Sequence, residues 1–177
     1  TVTADGSGNW TAEISLAAGS TYTVVATARD AANNTSADSA ALSITVDTTA
    51  PAATGTPDLA AASDLGSSST DNITNDTTPT FDISCVTGTT VQLYSDAVAT
   101  GTSGTCTAGT VSLTAGALAA GSRSITAVQT DPAGNASVAS GALVITIDTT
   151  ADAATGTPDL QAASDTGSSN SDNITND

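Results

Sequence analysis

The feature that most constrains this chain is an internal repeat with the period of one small domain. The stretch from Asp30 to Asp76 recurs from Asp131 to Asp177, an offset of 101 residues. Solenoid repeats are shorter, about 20 to 50 residues, and bury a core only by stacking on their neighbours. A unit of this length can bury its own core. We therefore expect a row of separate small domains.

Within one unit, apolar and polar residues alternate with a period of two. Residues 42–46 read LSITV and residues 143–147 read LVITI, and the same alternation occurs around Phe81 and Val91. This pattern is typical of strands with one buried face. Further strands are predicted near 102–108, 110–114 and 122–130, separated by turn pairs rich in Gly, Asp and Pro. Seven or so short strands per unit and no helical stripe indicate an all-β, antiparallel sandwich.

The phase of the repeat divides the chain into five segments. Residues 1–47 are predicted to be the C-terminal strands of one partial unit, 58–148 a complete unit, and 159–177 the N-terminal segment of a third. Residues 48–57 and 149–158 are the predicted linkers. Because a partial unit cannot bury a core, we also expect that neighbouring copies, joined head to tail, can supply the missing strands.

The charge of the chain excludes several classes of partner. It has 18 acidic residues against two basic ones, a net charge of -16, and no histidine. Such an anion is repelled by nucleic acid and by anionic membranes. No apolar run approaches the ~20 residues that span a bilayer, so no membrane insertion is expected in this stretch. Seventeen of the acids are Asp, a residue of turns and ion ligands, and only Glu13 is Glu.

Several motifs together resemble a known family. They are TPTFDIS at 78–84, VQLYSD at 91–96, TDPAGNAS at 130–137, ITIDTT at 145–150 and SDLGSSSTDNITND at 63–76. The combination resembles the bacterial Ig-like repeats of very large biofilm-associated and RTX-type surface adhesins, including the extender repeats of ice-binding adhesins. The resemblance covers essentially the whole chain. The glycine-rich GGxGxDxUx nonapeptide of RTX β-helices is absent, so the resemblance is to the extender portion.

That resemblance implies tandem immunoglobulin-like β-sandwich repeats at the bacterial cell surface, outside the cell. In the family, the repeats bind Ca²⁺ at and near domain junctions and hold a terminal ligand-binding domain away from the cell. The partners implied are the neighbouring repeats of the same chain. The expected function is a calcium-stiffened spacer in adhesion or biofilm formation. The alternative is an adhesive module with homophilic or glycan-binding activity, which would need an exposed aromatic or apolar patch.

The first candidate site is an acidic loop that occurs twice. Calcium takes six to eight oxygen ligands, which a loop dense in Asp, Asn and Ser can supply. The loop lacks the EF-hand pattern, so the ligand set would be composite. The alternative is a solvated loop whose Asp and Asn side chains only form Asx-turns. The candidate ligands are Asp58, Asp64, Asp71, Asn72, Asn75 and Asp76, and in the second copy Asp159, Asp165, Asp172, Asn173, Asn176 and Asp177.

The second candidate site lies at the junction between units. Asp47 and Asp148 each follow a predicted last strand, while Asp131 and Asn135 lie in the loop before the last strand. In an Ig-like sandwich the last strand leaves at the pole opposite that loop. The loop of one unit can therefore face the terminal Asp of the preceding unit and share an ion with it. Turn chemistry is again the alternative. Asp30 and Asn34 are the counterparts in the first partial unit.

The two cysteines, Cys85 and Cys106, both fall in the inward register of their predicted strands. A disulfide between them fits an oxidising compartment, whereas single thiols also pack as small hydrophobes. Catalysis by a thiol is not expected because the chain has no histidine to act as its base. A carboxylate-based glycosidase needs a cleft in a larger scaffold, so we expect no enzyme.

Overall fold

The computed structural model describes residues 1–161, 163–166, 168–169 and 171–175, and these contain β-strands and no helix. The predicted all-β class is confirmed. The strands are β1 Ser20–Val24, β2 Leu42–Val46, β3 Asp58–Leu59, β4 Ile73–Thr74, β5 Thr80–Ser84, β6 Thr90–Ser95, β7 Val98–Thr105, β8 Thr110–Thr114, β9 Gly121–Thr130 and β10 Leu143–Ile147.

Strands β3 to β10 form a sandwich of two sheets. The five-stranded sheet has the order β4-β10-β9-β6-β7 and the three-stranded sheet the order β3-β5-β8. All pairs are antiparallel except β4 with β10, which is parallel. The alternating apolar residues of both sheets meet between them, as the period of two predicts. The core contains Leu59, Phe81, Ile83, Val91, Leu93, Cys106, Leu113, Ala115, Leu118, Ile125, Ala127, Ile145 and Ile147.

Two tight turns connect strands of the sandwich: the first joins the hairpin of β6 and β7, and the second carries the chain from β7 in one sheet to β8 in the other. Asp96 and Ala97 both have positive φ between β6 and β7, and Ala108 and Gly109 have positive φ before β8. Two successive left-handed residues match the twist of antiparallel strands. Because the first turn closes at Ala97, β7 begins at Val98 rather than near residue 102, where we expected it.

Strands β1 and β2 form a separate hairpin in the first 47 residues. Tyr22 lies opposite Ile44, and at the same place in the sandwich Arg123 lies opposite Ile145, so the two hairpins share their register at the 101-residue offset. The inward side of the first hairpin is only half-buried. Strand completion by head-to-tail copies stays a prediction, as do the domain boundaries.

Residues 48–57, which we name the entry segment, pack against the sandwich. Thr54 and Pro57 are buried. The Gly55 N–H donates to the Ser84 carbonyl (2.9 Å), which extends the pairing of β3 with β5 toward the preceding hairpin. Segment 48–57 is a predicted linker, yet its second half behaves as part of the domain edge.

Candidate metal centre

The acidic loop, residues 63–76, lies at the end of the sandwich where β10 finishes. The Thr146 N–H donates to the Asn72 carbonyl (2.8 Å), and the Asp148 N–H donates to the Thr74 carbonyl (2.9 Å). These backbone bonds fix the loop beside the point where the chain leaves the sandwich. The loop and Asp148 therefore share one pole.

Asp64 connects the two ends of the acidic loop. It lies at the end of a turn that begins at Ala60, in which the N–H groups of Ser63 and Asp64 both donate to the Ala60 carbonyl (2.7 and 3.1 Å). Its Oδ2 accepts the N–H of Asn72 (3.2 Å). Asn72 has a φ of 60°, a left-handed conformation that Asn tolerates better than most residues. The local sequence thus dictates the shape of the loop.

The other carboxylate oxygen of Asp64 has no partner. The residue is only 4% exposed, and Oδ1 is buried without a hydrogen bond. A buried charged oxygen is costly unless something compensates it. A cation beside Oδ1 would supply that compensation, so this atom is the best evidence that the loop can hold one.

The described residues of the second acidic loop repeat these contacts. Asp165, the counterpart of Asp64, is 2% exposed, and its Oδ1 is also buried without a partner. Its Oδ2 accepts the N–H of Asn173 (3.1 Å), which likewise has a φ of 60°. In both loops the following Asp accepts a backbone N–H two residues on, Asp71 from Ile73 and Asp172 from Ile174. Asn176 and Asp177 lie outside the described residues.

Thr74 also holds the loop together, and sequence reasoning missed it. Its hydroxyl donates to the Ser63 carbonyl (2.6 Å) and accepts the N–H groups of Leu65 and Asp76 (3.2 and 3.0 Å). The side chain is 1% exposed. The available signal was the exact recurrence of DNITND, in which this Thr lies between the candidate ligands.

Several predicted ligands lie outside the acidic loop or are hydrogen-bonded to other groups. Asp58 lies on β3 opposite Asp82 of β5, outside the loop, and its counterpart Asp159 is exposed. Asp76 accepts the N–H and the hydroxyl of Thr78. In the described part of the chain, no three acidic or thiol side chains lie close enough together to hold a metal ion by themselves. A cation here would depend on Asp64, amide oxygens and backbone carbonyls, a donor set that Ca²⁺ accepts.

At the opposite pole, the loop of residues 131–135 meets Asp47, which directly precedes the entry segment. Asp131 Oδ1 accepts the N–H groups of Ala133 and Asn135 (2.9 and 2.8 Å), and its Oδ2 accepts the Asn135 amide (2.9 Å). The same amide donates to the carbonyl of Asp47 (3.2 Å). Asn135 and Asp47, predicted to face each other across the junction, lie in contact through this backbone oxygen.

The junction carboxylates have partners of their own. The Asn135 side chain holds the pKa of Asp131 below its usual value, and Asn34 does the same for Asp30. The Thr150 hydroxyl and N–H lower the pKa of Asp148, and Asp47 accepts the N–H of Thr49 (2.9 Å). These are the Asx-turns of the alternative interpretation. The orphaned oxygen of Asp64 distinguishes the acidic loop from them.

A disulfide bond joins Cys85 and Cys106, whose Cα atoms lie 6.0 Å apart. Cys106 is almost fully buried at the edge of the core. The bond closes a loop around β6 and β7 at the same pole as residues 131–135. It covalently links the end of β5 to the end of β7.

Comparison with known proteins places the fold in a family. Residues 50–149, more than half of the chain, match the model of the bacterial Ig-like domain. The chain belongs to this family.

Among solved structures, the chain is similar to the BSP domain of a biofilm associated protein, with 20% identity and a TM-score of 0.39. The match covers 75% of this chain and 20% of that one, so this chain spans about a fifth of its length. No curated protein matches the sequence. None of the described residues forms a helix long and apolar enough to cross a membrane.

Proposed function

We propose that this chain is a calcium-stiffened spacer of a bacterial cell-surface adhesin. The observation that carries the proposal is the buried, unpartnered Oδ1 of Asp64, repeated at Asp165. Membership of the bacterial Ig-like family and the adhesin-type motifs support a structural repeat. The disulfide supports an oxidising, extracytoplasmic location.

The ion would be held by the acidic loop at the end of the sandwich where β10 finishes and the chain leaves the domain. Asp64 would supply its free carboxylate oxygen, with carbonyl and amide oxygens of residues 65–72 completing the set. Bound there, Ca²⁺ neutralises part of a net charge of -16 and cross-links loop segments that otherwise repel one another. Because the loop accepts hydrogen bonds from the N–H groups of Thr146 and Asp148 at the end of β10, tightening it restricts the chain where it leaves the domain.

Occupancy of the loop would depend on whether the chain is inside or outside the cell, because the two compartments differ in their Ca²⁺ concentration. Extracellular calcium modules have dissociation constants of about 10⁻⁴ to 10⁻³ M. Millimolar Ca²⁺ outside the cell would therefore fill the loop, whereas micromolar or lower levels inside would leave it empty. The chain would stay supple during export and stiffen once it is outside.

The test is calorimetric titration and melting of the 177-residue chain in calcium and in chelator. At ten times the dissociation constant, Ca²⁺ stabilises the folded state by about 1.4 kcal/mol, equivalent to roughly 6 to 11 °C in Tm for a domain of this size. Asp64→Asn should remove most of this shift. Asp38→Asn, an equal change of charge at an exposed site, is the control and should keep it.

Small-angle scattering tests the stiffening separately. Calcium should increase the maximum dimension of the particle and narrow its distribution of shapes. Identical melting and scattering in calcium and in chelator would contradict the proposal.

A further inference from the structure

The side chain of Gln129 on β9 is a polar group that neither the fold nor the calcium proposal requires. It is fully buried, at 0% exposure. A buried amide is tolerated only where its donors and acceptors are paired. Its hydrogen-bond partners come from two other segments of the chain, the loop between β5 and β6 and the entry segment. The amide therefore links both segments to β9.

The carbonyl oxygen of the amide accepts two hydrogen bonds from the loop between β5 and β6. Its Oε1 accepts the N–H of Val86 and the hydroxyl of Thr89, both at 2.8 Å. That loop is fixed in turn, because Cys106 is bonded covalently to Cys85 and exchanges backbone hydrogen bonds with Gly88 and Thr89. The amide is therefore held in one orientation before it meets the entry segment.

The other half of the amide grips the entry segment. Its Nε2 donates to the carbonyl of Ala52 at 2.6 Å. Two residues on, the Thr54 hydroxyl reaches the Ala127 carbonyl at 3.5 Å, and the Gly55 N–H reaches Ser84. These contacts fix Ala52, Thr54 and Gly55, in the segment that joins the β1–β2 hairpin to the sandwich, without any carboxylate or ion.

The repeat offset shows that this contact is not a general feature of the units. Ala28 occupies the position of Gln129 in the first unit. Its N–H donates to Ser36 Oγ as the Gln129 N–H donates to Ser137 Oγ, so the two backbones correspond. Alanine carries no amide and cannot hold a preceding segment.

We infer that Gln129 is a positioning residue that fixes the direction in which the chain enters this domain, independently of calcium. The partner it recognises is a backbone carbonyl of the segment arriving from the preceding repeat. Units with Gln here have an anchored entry, and units with Ala depend on other contacts. The inference does not rest on the calcium proposal, and each can fail without the other.

The test measures backbone order by ¹⁵N relaxation of the full chain in chelator. Ala52 and Thr54 should have order parameters near 0.85, as rigid backbone does, and the corresponding Ala153 and Thr155 should fall below about 0.6. Gln129→Glu should lower the values at Ala52 at a pH high enough to ionise the introduced carboxyl, because an ionised carboxylate cannot donate to the carbonyl. Acidification that protonates the introduced carboxyl should restore them.

Two further variants separate positioning from general destabilisation. Thr89→Val removes a bond to the same amide but leaves its donor to Ala52, so the order of the entry segment should persist. Gln129→Leu keeps the buried volume filled but removes the donor, so the order parameter of Ala52 should fall and should not recover at low pH. This variant replaces Gln129→Glu in the test if the latter does not fold. Two results would overturn the inference. One is that the order parameters of the entry segment are unchanged in Gln129→Leu, and the other is that Ala52 of the wild-type chain is as mobile as Ala153.

Discussion

Two nearly identical stretches of the chain adopt different states. Residues 48–59 read TTAPAATGTPDL and residues 149–160 read TTADAATGTPDL, differing only at Pro51 and Asp152. In the first copy Thr54, Pro57 and Leu59 are buried, whereas residues 151–159 of the second are exposed. Gly156 has a φ of 62°, and its counterpart Gly55 has no positive φ. The first copy packs on β5 and β9, and tertiary contact therefore decides the conformation.

The acidic loops, which follow these stretches directly, behave in the opposite way. Both copies bury their Asp, bond it to an Asn with left-handed backbone and leave one oxygen unpartnered. The second does so without a sandwich around it among the described residues. Loop geometry is therefore encoded locally, and the geometry of the entry segment is not.

The largest effect is expected from truncating the two equivalent leucines. Leu59→Ala removes a core side chain and should cost about 2 to 5 kcal/mol of sandwich stability. Leu160→Ala, the same change in the unpacked copy, should cost well under 1 kcal/mol. Urea unfolding, followed by the NMR signals of Ile145, measures both. Equal costs would mean that the second copy is packed as tightly as the first.

Reduction of the disulfide should have the next largest effect. Closing a loop of this length is worth about 3 kcal/mol in the chain-entropy account, so the double variant Cys85→Ala/Cys106→Ala should lose roughly that much stability. Calcium affinity of the acidic loop, at the other pole, should change little. A loss of calcium binding in this variant would show that the loop geometry is not local.

The smallest effect concerns the two matching Asp loops. Asp131 and Asp30 have pKa values below the usual 3.8 because of Asn135 and Asn34. Each therefore contributes stability that is present above pH 3.8 and is lost as the pH falls through the lowered pKa. Asn135→Ala should raise the pKa of Asp131 and leave that of Asp30 unchanged, as ¹³C carboxyl titration would show. A parallel shift at Asp30 would contradict local control.

Much of the fold follows from the sequence, because alternation needs only neighbouring residues. It predicted the cores of β2, β5, β6, β8, β9 and β10. The two-residue strands β3 and β4 carry no periodic pattern and exist because Phe81 and Thr146 pair with them. The start of β7 was missed because Ala97 is not a turn residue by composition.

The candidate site was predictable only in part. The repeated DNITND motif pointed to the acidic loop, but which Asp would be buried depends on the Ala60 turn and the Thr74 hydroxyl. The anchoring of Ala52 could not be predicted, since Gln129 lies in a distant strand and reads as a polar residue of β9. Long-range polar contacts of this kind leave no local pattern.

The most direct test of the calcium account is a crystal of the chain grown in millimolar calcium, with an anomalous difference map collected at long wavelength. The account predicts a peak about 2.3 to 2.6 Å from Asp64 Oδ1, the range of Ca²⁺–oxygen bonds. A water at hydrogen-bond distance, or no density beside that oxygen, would contradict it.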